Sequence, residues 1–302
     1  MLGLAIEQPG DYVEAEWSDT PGVEIVEVRG DSGRLTTDPT RNVVGIAATA
    51  ALLAFDARKT DRRPPGVRLW LDKRMPLASG LGSSAASSVG GALAVSELLG
   101  GVFDRNELIA CALEGERAVS GGVHADNVAP CVAGGIVLIR SYTPMELLSL
   151  PVPDALRVAV VHPHVSVVTA EARRLVTEHR FAIAQVVANL GQLGALVTAL
   201  HRGDLELFGR AISDDLVEPI RASLVPGFAE VKQTALEAGA LGCSLSGSGP
   251  SVFAFASSDD QAAGLAVCMA ARFREVAGLQ SDTYVGRVNT RGARRVEADE
   301  DE

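Results

Sequence analysis

Apolar and polar positions alternate over the first thirty residues, most clearly in Val23-Glu-Ile-Val-Glu-Val28, and this period of two predicts strands. From Asn42 to Arg58 the period lengthens. Ile46, Ala50, Leu53 and Ala54 recur at helical spacing in an alanine-rich run. Thr60-Asp-Arg-Arg-Pro-Pro-Gly66 is a turn or loop, and Val67-Arg-Leu-Trp-Leu71 reads as a strand. A second helix should run to about Leu99, with Ala86, Val89 and Leu93 on one face and Gly100-Gly101 as its stop. Asp104 with Glu107 forms a capping box for a third, carrying Ile109, Leu113 and Glu116 and ending near Gly121-Gly122.

Gly135-Ile-Val-Leu-Ile139 and Leu156-Arg-Val-Ala-Val-Val161 are strand-like. Helices are expected from about Thr169 to Glu218, broken near His179 and Arg202-Gly203. Ser251-Val-Phe-Ala-Phe255 and Thr283-Tyr-Val-Gly-Arg-Val288 predict late strands. Strands and helices do not alternate strictly, so the fold class is α+β rather than a doubly wound sheet. Tyr142 to Asp154, with three prolines, is the expected boundary between domains at 1–150 and 151–302.

Composition narrows the class of function. The 302 residues are 47% hydrophobic and 22% charged, which suits a globular protein with a real core. A net charge of −11 argues against a sequence-independent grip on nucleic acid. No signal peptide is visible and no uninterrupted apolar run reaches membrane-spanning length, so no membrane partner is expected. Cys111, Cys131, Cys243 and Cys268 are dispersed without a CxxC pair, and read as buried thiols of a reducing cytoplasm. The tail Glu297-Ala-Asp-Glu-Asp-Glu302 is acidic and solvated.

The chemistry centres on Pro76-Leu-Ala-Ser-Gly-Leu-Gly-Ser-Ser-Ala-Ala86, a glycine- and serine-rich turn between the strand at 67–71 and a small-residue helix. Such a turn presents backbone N–H groups and the positive end of a helix dipole to an anion, or it merely caps the helix. The P-loop is excluded because no Gly-Lys pair occurs, and the dinucleotide fingerprint because Ala85 replaces its third glycine. Lys73, one of only three lysines, precedes the turn by three residues. Glu116 and Asp126 lie ten residues apart across a glycine turn, as a helix carboxylate and a loop carboxylate. They are either two site ligands, or a solvated acid and an Asp-Asn turn. Ser244-Leu-Ser-Gly-Ser-Gly-Pro-Ser251 is a second backbone-rich turn entering a strand, and Thr169-Ala-Glu-Ala-Arg173 is the polar start of an apolar helix. His162 and His164 lack a third ligand at metal spacing and read as strand-end histidines.

Together these segments resemble the GHMP small-molecule kinases. The loop Pro76–Ala86 is similar to their phosphate-binding motif and Ser246-Gly-Ser-Gly-Pro250 to their C-terminal glycine motif. Within that family, Glu114-Gly-Glu-Arg-Ala-Val-Ser-Gly-Gly-Val-His-Ala-Asp-Asn-Val-Ala-Pro130 resembles the homoserine kinases. So do His162-Pro-His-Val-Ser-Val-Val-Thr-Ala-Glu-Ala-Arg173 and Arg221-Ala-Ser-Leu-Val-Pro-Gly227. The resemblance implies a two-domain α+β fold: an N-terminal ribosomal-S5-like ATP-binding domain and a C-terminal ferredoxin-like domain, with ATP and Mg²⁺ between them.

By the same resemblance, Pro76, Leu77, Ala78, Ser79, Gly80, Leu81, Gly82, Ser83, Ser84, Ala85 and Ala86 wrap the triphosphate. Ser84 and Glu116 hold Mg²⁺, Lys73 lies near the phosphates, and Asn42 is an adenine-side contact, although read alone it is a helix cap. The implied substrate is L-homoserine, phosphorylated on the way to threonine. Arg173 and Arg221 take its carboxylate, Asp126 its ammonium, Asn127 its hydroxyl, and Thr169 lines the pocket. Asn127 stands where sibling kinases are thought to carry a basic aspartate, so in-line positioning rather than a strong base is expected to carry catalysis. A homodimer is the common assembly of such kinases. The family's opening Pro-x-Ser-x-Asn-x-Gly-Pro-Gly-Phe-Asp motif is missing ahead of Met1-Leu-Gly-Leu-Ala-Ile-Glu7. The first strand is therefore expected to be lacking, and a start placed too late is the favoured cause. The alternatives are a GHMP kinase for another small alcohol such as mevalonate, and a non-catalytic protein of the same fold.

Overall fold

The computed structural model describes residues 1–59, 63–120 and 125–297. The N-terminal half runs β1 (Leu2–Leu4), β2 (Tyr12–Ser18), β3 (Gly22–Arg29), α1 (Val43–Ala57), β4 (Gly66–Asp72), α2 (Ser83–Leu98), α3 (Arg105–Ser120), α4 (Ala125–Ala133), β5 (Ile136–Tyr142) and β6 (Met145–Leu150). β4 is the middle strand of one sheet, antiparallel to β2 and parallel to β3. Its alternation is that of a half-covered strand: Val67, Leu69 and Leu71 are buried, whereas Arg68, Trp70 and Asp72 face the other way. The buried face packs on α1, α2 and α3 through Ala47, Ala51, Val89, Ala92, Ile109 and Ala112.

The local signals act as the sequence predicts. Asn42 caps α1, its Oδ1 accepting from the Val44 N–H at 3.2 Å. Asp104 and Glu107 close a reciprocal capping box at the start of α3 (2.8 and 2.9 Å). Gly100 and Gly101 end α2 at φ of +89° and +73°. The expected Gly121-Gly122 stop, part of the Thr60–Gly66 loop and the acidic tail beyond residue 297 lie outside the described residues.

The C-terminal half runs β7 (Arg157–Pro163), α5 (Thr169–Glu178), α6 (Ile183–Arg202), α7 (Leu205–Arg210), α8 (Glu218–Ala222), α9 (Phe228–Glu237), β8 (Gly242–Leu245), β9 (Val252–Ala256), α10 (Asp259–Ala277) and β10 (Ser281–Arg287). Its antiparallel sheet has the order β10-β7-β9-β8, the split β-α-β-β-α-β arrangement of ferredoxin-like domains. β7 is buried along its whole length because both faces are covered. Ala159, Val161, Val252 and Ala254 meet α9 and α10 through Val231, Leu265, Met269 and Phe273. Val158, Val160 and Phe255 turn the other way and share a core with Leu196, Leu200 and Phe208, and with Ile136, Leu150 and Leu156.

Two expectations are corrected. The stretch expected as a break contains β6, which pairs with β5 as an ordered hairpin; the linker proper is the short segment between Leu150 and Arg157. Asp126 and Asn127 are not in a loop but in the first turn of α4, a helix hidden in the sequence by Pro130 within it. α6 is a twenty-residue helix whose eighteen-residue window has mean hydropathy 1.5, long and apolar enough to cross a membrane by those two measures alone. The amides of Gln185, Asn189 and Gln192 interrupt it, which is why it does not read as an unbroken apolar run, and Leu196, Ala199 and Leu200 sit in the shared core.

The halves are also tied by backbone. Ile6 bridges Val288, and beyond β10 the chain returns to the N-terminal half. There the Asn289 N–H donates to Ala5 O at 2.9 Å and the Ala293 N–H to Cys131 O at 2.7 Å. All four cysteines are free thiols, Cys111 and Cys243 buried and the other two half-buried.

His162, buried at the end of β7, shares a hydrogen bond of 3.1 Å with Ser251 Oγ. Burial pushes its pKa below 6.5; Asp282 opposes that shift and His164 adds to it. The folded state therefore disfavours the imidazolium, and this contribution to stability is complete above about pH 6.5 and declines as pH falls below it. Urea unfolding at about pH 7.5 and 5.5 should show a larger acid loss for the native chain than for His162→Gln; equal losses would exclude His162 as a source.

Candidate functional site

The loop between β4 and α2 is held by its two feet. Asp11, between β1 and β2, accepts the backbone N–H groups of Arg74 (3.1 Å) and Met75 (2.9 Å) with Oδ1, where the chain leaves β4. Its Oδ2 pairs with the Lys73 ammonium and accepts from Ser87 Oγ at 2.7 Å, one turn into α2. Lys73 Nζ also donates to Ser83 O (2.7 Å) and Ser87 Oγ (3.0 Å). Both side chains are almost fully buried, 2% and 1% exposed. Burial depresses the Lys73 pKa, and Asp11 opposes that shift. Lys73, expected beside the phosphates, is thus engaged beneath the loop.

Between these feet the backbone turns through positive φ at Ala78 (+56°), Gly80 (+80°) and Gly82 (+78°). Gly82 is the N-cap of α2, no side chain caps the helix, and its first turn carries no acidic residue. The leading N–H groups therefore meet no side-chain anion, which is the condition for an external phosphate to take that place. Of the two hydroxyls at the turn, Ser83 is buried, with Oγ 3.4 Å from Met75 O, while Ser84 stays half-exposed.

The loop is stitched to the second glycine-rich turn, 246–251. Ser246 Oγ donates to Gly80 O at 2.9 Å and the Ser251 N–H to Ser79 O at 3.1 Å. A Cβ at Gly80 would lie 2.4 Å from Ser246 O, so only glycine permits this approach.

Glu116 is 2% exposed on α3. The adjacent Gly115 lets α3 close on α2: a Cβ there would sit 2.2 Å from Ser88 Oγ, which donates to Ala112 O at 2.6 Å. Ser84 lies one turn before Ser88 on the same face of α2, the face that meets α3 at Ala112 and Gly115. The Ser84 hydroxyl and the Glu116 carboxylate are hard oxygen donors of the kind Mg²⁺ accepts.

The remaining expected residues lie on α4, α5 and α8. Asn127 packs by Gly82, whose added Cβ would be 3.3 Å from Asn127 Cβ. Asp126 Oδ1 is buried with no hydrogen-bond partner among the described residues, and so is Arg221 Nε. Arg221 donates to Gly247 O at 2.8 Å through its Nη1. Burial lowers the Arg221 pKa, Asp214 and Asp126 oppose that shift, and Arg173 adds to it. Thr169 Oγ1 is 3.4 Å from Ser248 Oγ. Buried polar atoms without partners are costly unless a ligand supplies them. An anion acceptor beside two cations suits a small zwitterion.

Asn42 is the exception: besides capping α1, its Nδ2 donates to Thr36 O at 2.8 Å, so its amide is engaged in the fold rather than turned to a base. Asp11 was not legible in sequence. After Pro9-Gly10 it reads as a turn residue, and only its buried pairing reveals it. His164 lies 3.1 Å from Asp282, and no group of three His, Cys, Asp or Glu side chains suited to a metal occurs among the described residues.

Residues 44–135 match the family described as GHMP kinases N terminal domain, and residues 196–275 that described as GHMP kinases C terminal. Homoserine kinase of Chloroherpeton thalassium is 41% identical over 298 residues, spanning 97% of this chain and 93% of that protein. The crystal structure of homoserine kinase from Cytophaga hutchinsonii superposes with a TM-score of 0.90 at 45% identity, covering 96% of this chain and 90% of that one. Mevalonate kinase of L. major, in complex with R-mevalonate, superposes at 0.71 with 20% identity over 94% of this chain and 88% of its own, a likeness of fold alone.

Lys73→Met should strand the buried Asp11 carboxylate and cost about 3–5 kcal/mol of stability, measured by urea unfolding. Adding Asp11→Leu should restore part of the loss. A cost of Lys73→Met below about 1 kcal/mol would mean the pair is open to water, contrary to its burial.

Proposed function

Since the chain belongs to the homoserine kinases of the GHMP family, we propose that it transfers the terminal phosphoryl group of ATP to the side-chain hydroxyl of L-homoserine. The product is O-phospho-L-homoserine, on the route to threonine. What supports the acceptor is that Asn127 packs beside Gly82 at the uncapped start of α2 and that Asp126 Oδ1 and Arg221 Nε are buried without partners among the described residues. Homoserine has one carboxylate, one ammonium and one primary hydroxyl. Arg221 and Arg173 supply cations for the carboxylate, Asp126 an anion for the ammonium, and Asn127 an amide to orient the hydroxyl. Mevalonate has no ammonium, so it would leave the buried Asp126 acceptor uncompensated.

The backbone of residues 76–86 receives the triphosphate, with the first-turn N–H groups of α2 stabilising the phosphate oxygens. Ser84 and Glu116 are the residues to hold Mg²⁺, which when bound neutralises charge on the phosphates. Asn127 has no basic atom to take the hydroxyl proton. Rate enhancement is therefore assigned to alignment of the hydroxyl with the phosphoryl group and to fixed dipoles; alignment alone is worth about 7–11 kcal/mol in well-oriented reactions. The four free thiols fit a reducing, cytoplasmic setting.

A coupled ADP-release assay with L-homoserine, threonine, serine and mevalonate tests the acceptor. Homoserine should give turnover far above the others, and its failure to release ADP would overturn the reading. Arg221→Ala should raise the KM for homoserine roughly 10–100-fold, the worth of a charge-assisted hydrogen bond, with the KM for ATP little changed. Equal damage to both constants would remove Arg221 from the carboxylate. Ser84→Ala and Glu116→Ala should instead lower kcat and raise the Mg²⁺ concentration needed for half-maximal rate.

A further inference from the structure

The most heavily engaged carboxylate near the loop belongs to a residue outside the expected site. One oxygen of Asp11 receives the two backbone N–H groups at the loop's entry, Arg74 and Met75. The other receives Ser87 Oγ in α2, at the loop's exit, and pairs with Lys73, whose ammonium in turn reaches Ser83 O at the first position of that helix. A single buried side chain thus spans both feet of the phosphate loop.

We propose that Asp11 is a positioning residue for the nucleotide: by clamping the two feet of the loop together through Lys73 and Ser87, it sets the direction in which the α2 N–H groups meet the triphosphate. The proposal rests on the assignment of residues 76–86 to ATP. It does not depend on the identity of the acceptor.

The geometry supplies the reason. Beneath the feet Asp11 and Lys73 make most of the ties, beside a longer Ser83 Oγ–Met75 O contact of 3.4 Å; at its crest the loop is held by Ser246 and Ser251. Between these fixed points Ala78, Gly80 and Gly82 all take positive φ, a course that strains Ala78 but not the two glycines. A carboxylate is needed because four donors converge on it: two N–H groups, one hydroxyl and one ammonium. An amide at the same place has one acceptor oxygen and would turn its NH₂ toward the Lys73 ammonium. That would release one foot while leaving the shape of the side chain unchanged. An anion site built from fixed dipoles loses affinity when their aim relaxes by a fraction of an ångström. The acceptor residues lie on α4, α5 and α8 and meet the loop where Asn127 packs beside Gly82, whereas the clamp itself is made by Asp11, Lys73 and Ser87 at the loop's feet.

The experiment compares the full chain with Asp11→Asn and Ser87→Ala. The dissociation constant of a non-hydrolysable ATP analogue with Mg²⁺ is measured by calorimetry, and both KM values by the coupled assay. Asp11→Asn should weaken the analogue about tenfold and raise the KM for ATP in parallel, with the KM for homoserine within twofold of the original. Ser87→Ala should weaken the analogue about threefold. Far-UV circular dichroism at the assay temperature establishes that each variant is folded. Should Asp11→Asn not fold, Ser87→Ala, which removes one hydroxyl, decides alone. Unchanged analogue affinity in a folded variant, or an equal rise in both KM values, would overturn the clamp. A native chain that binds the analogue but does not phosphorylate homoserine would overturn the acceptor assignment and leave the clamp to be judged by the affinities.

Discussion

The site exists because two halves of the chain share one hydrophobic core. Val158, Val160 and Phe255 from the C-terminal sheet, Leu196, Leu200 and Phe208 from the helices beside it, and Ile136, Leu150 and Val288 form a single buried cluster. The Phe208 and Phe255 rings meet edge to face with centroids 4.9 Å apart. Each large side chain removed from water here contributes about 1.5–3 kcal/mol, and close packing leaves little freedom for the halves to slide. Gly80 therefore meets Ser246 across the two halves in one fixed register. Loosening this core would separate the phosphate loop from its partner turn before it disturbed either half.

Polar groups are handled in two opposite ways within a short distance. Under the loop, Asp11 and Lys73 are buried and fully paired, with backbone and hydroxyl partners filling the remaining positions. Such a pair adds little net stability over apolar residues, yet removing one partner is severe, so it specifies geometry more than it stabilises. At the rim, Asp126 Oδ1 and Arg221 Nε are buried without partners among the described residues. On the proposed function the ligand supplies those missing hydrogen bonds, whereas the pair beneath the loop is completed by the scaffold itself.

Much of the scaffold was legible residue by residue. Asn42, Asp104 with Glu107, and Gly100-Gly101 mark helix ends by chemistry that acts over three or four residues, and each appears where the spacing places it. The alternation at 23–28 and 67–71 gives β3 and β4 for the same reason. α4 escaped because Pro130 and the glycines before Ala125 mimic a loop, and a nine-residue helix has few turns in which to establish a period. α9 and α10 left no expectation at all, although Ser258 caps α10 by accepting from the Gln261 N–H at 3.2 Å. Of the candidate site residues, Lys73 and Asn42 are drawn into the fold by hydrogen bonds that no local pattern announces.

The sequence by itself determined the α+β class and the glycine-serine turn at a helix start, while the acceptor expected there came from the resemblance of its motifs to the homoserine kinases. The class and the turn rest on short-range properties: side-chain period, turn chemistry and cap identity depend on residues within a few positions of one another. Only the tertiary structure decided that Asp11 and Lys73, 62 positions apart, meet beneath the loop. The same holds for Ser246 and Gly80, 166 positions apart, which meet above it. Those contacts follow from how sheets and helices bury their apolar faces. A lone aspartate after a proline and a glycine carries no mark of the ion pair it will make, because that partner is chosen by the packing of the whole core.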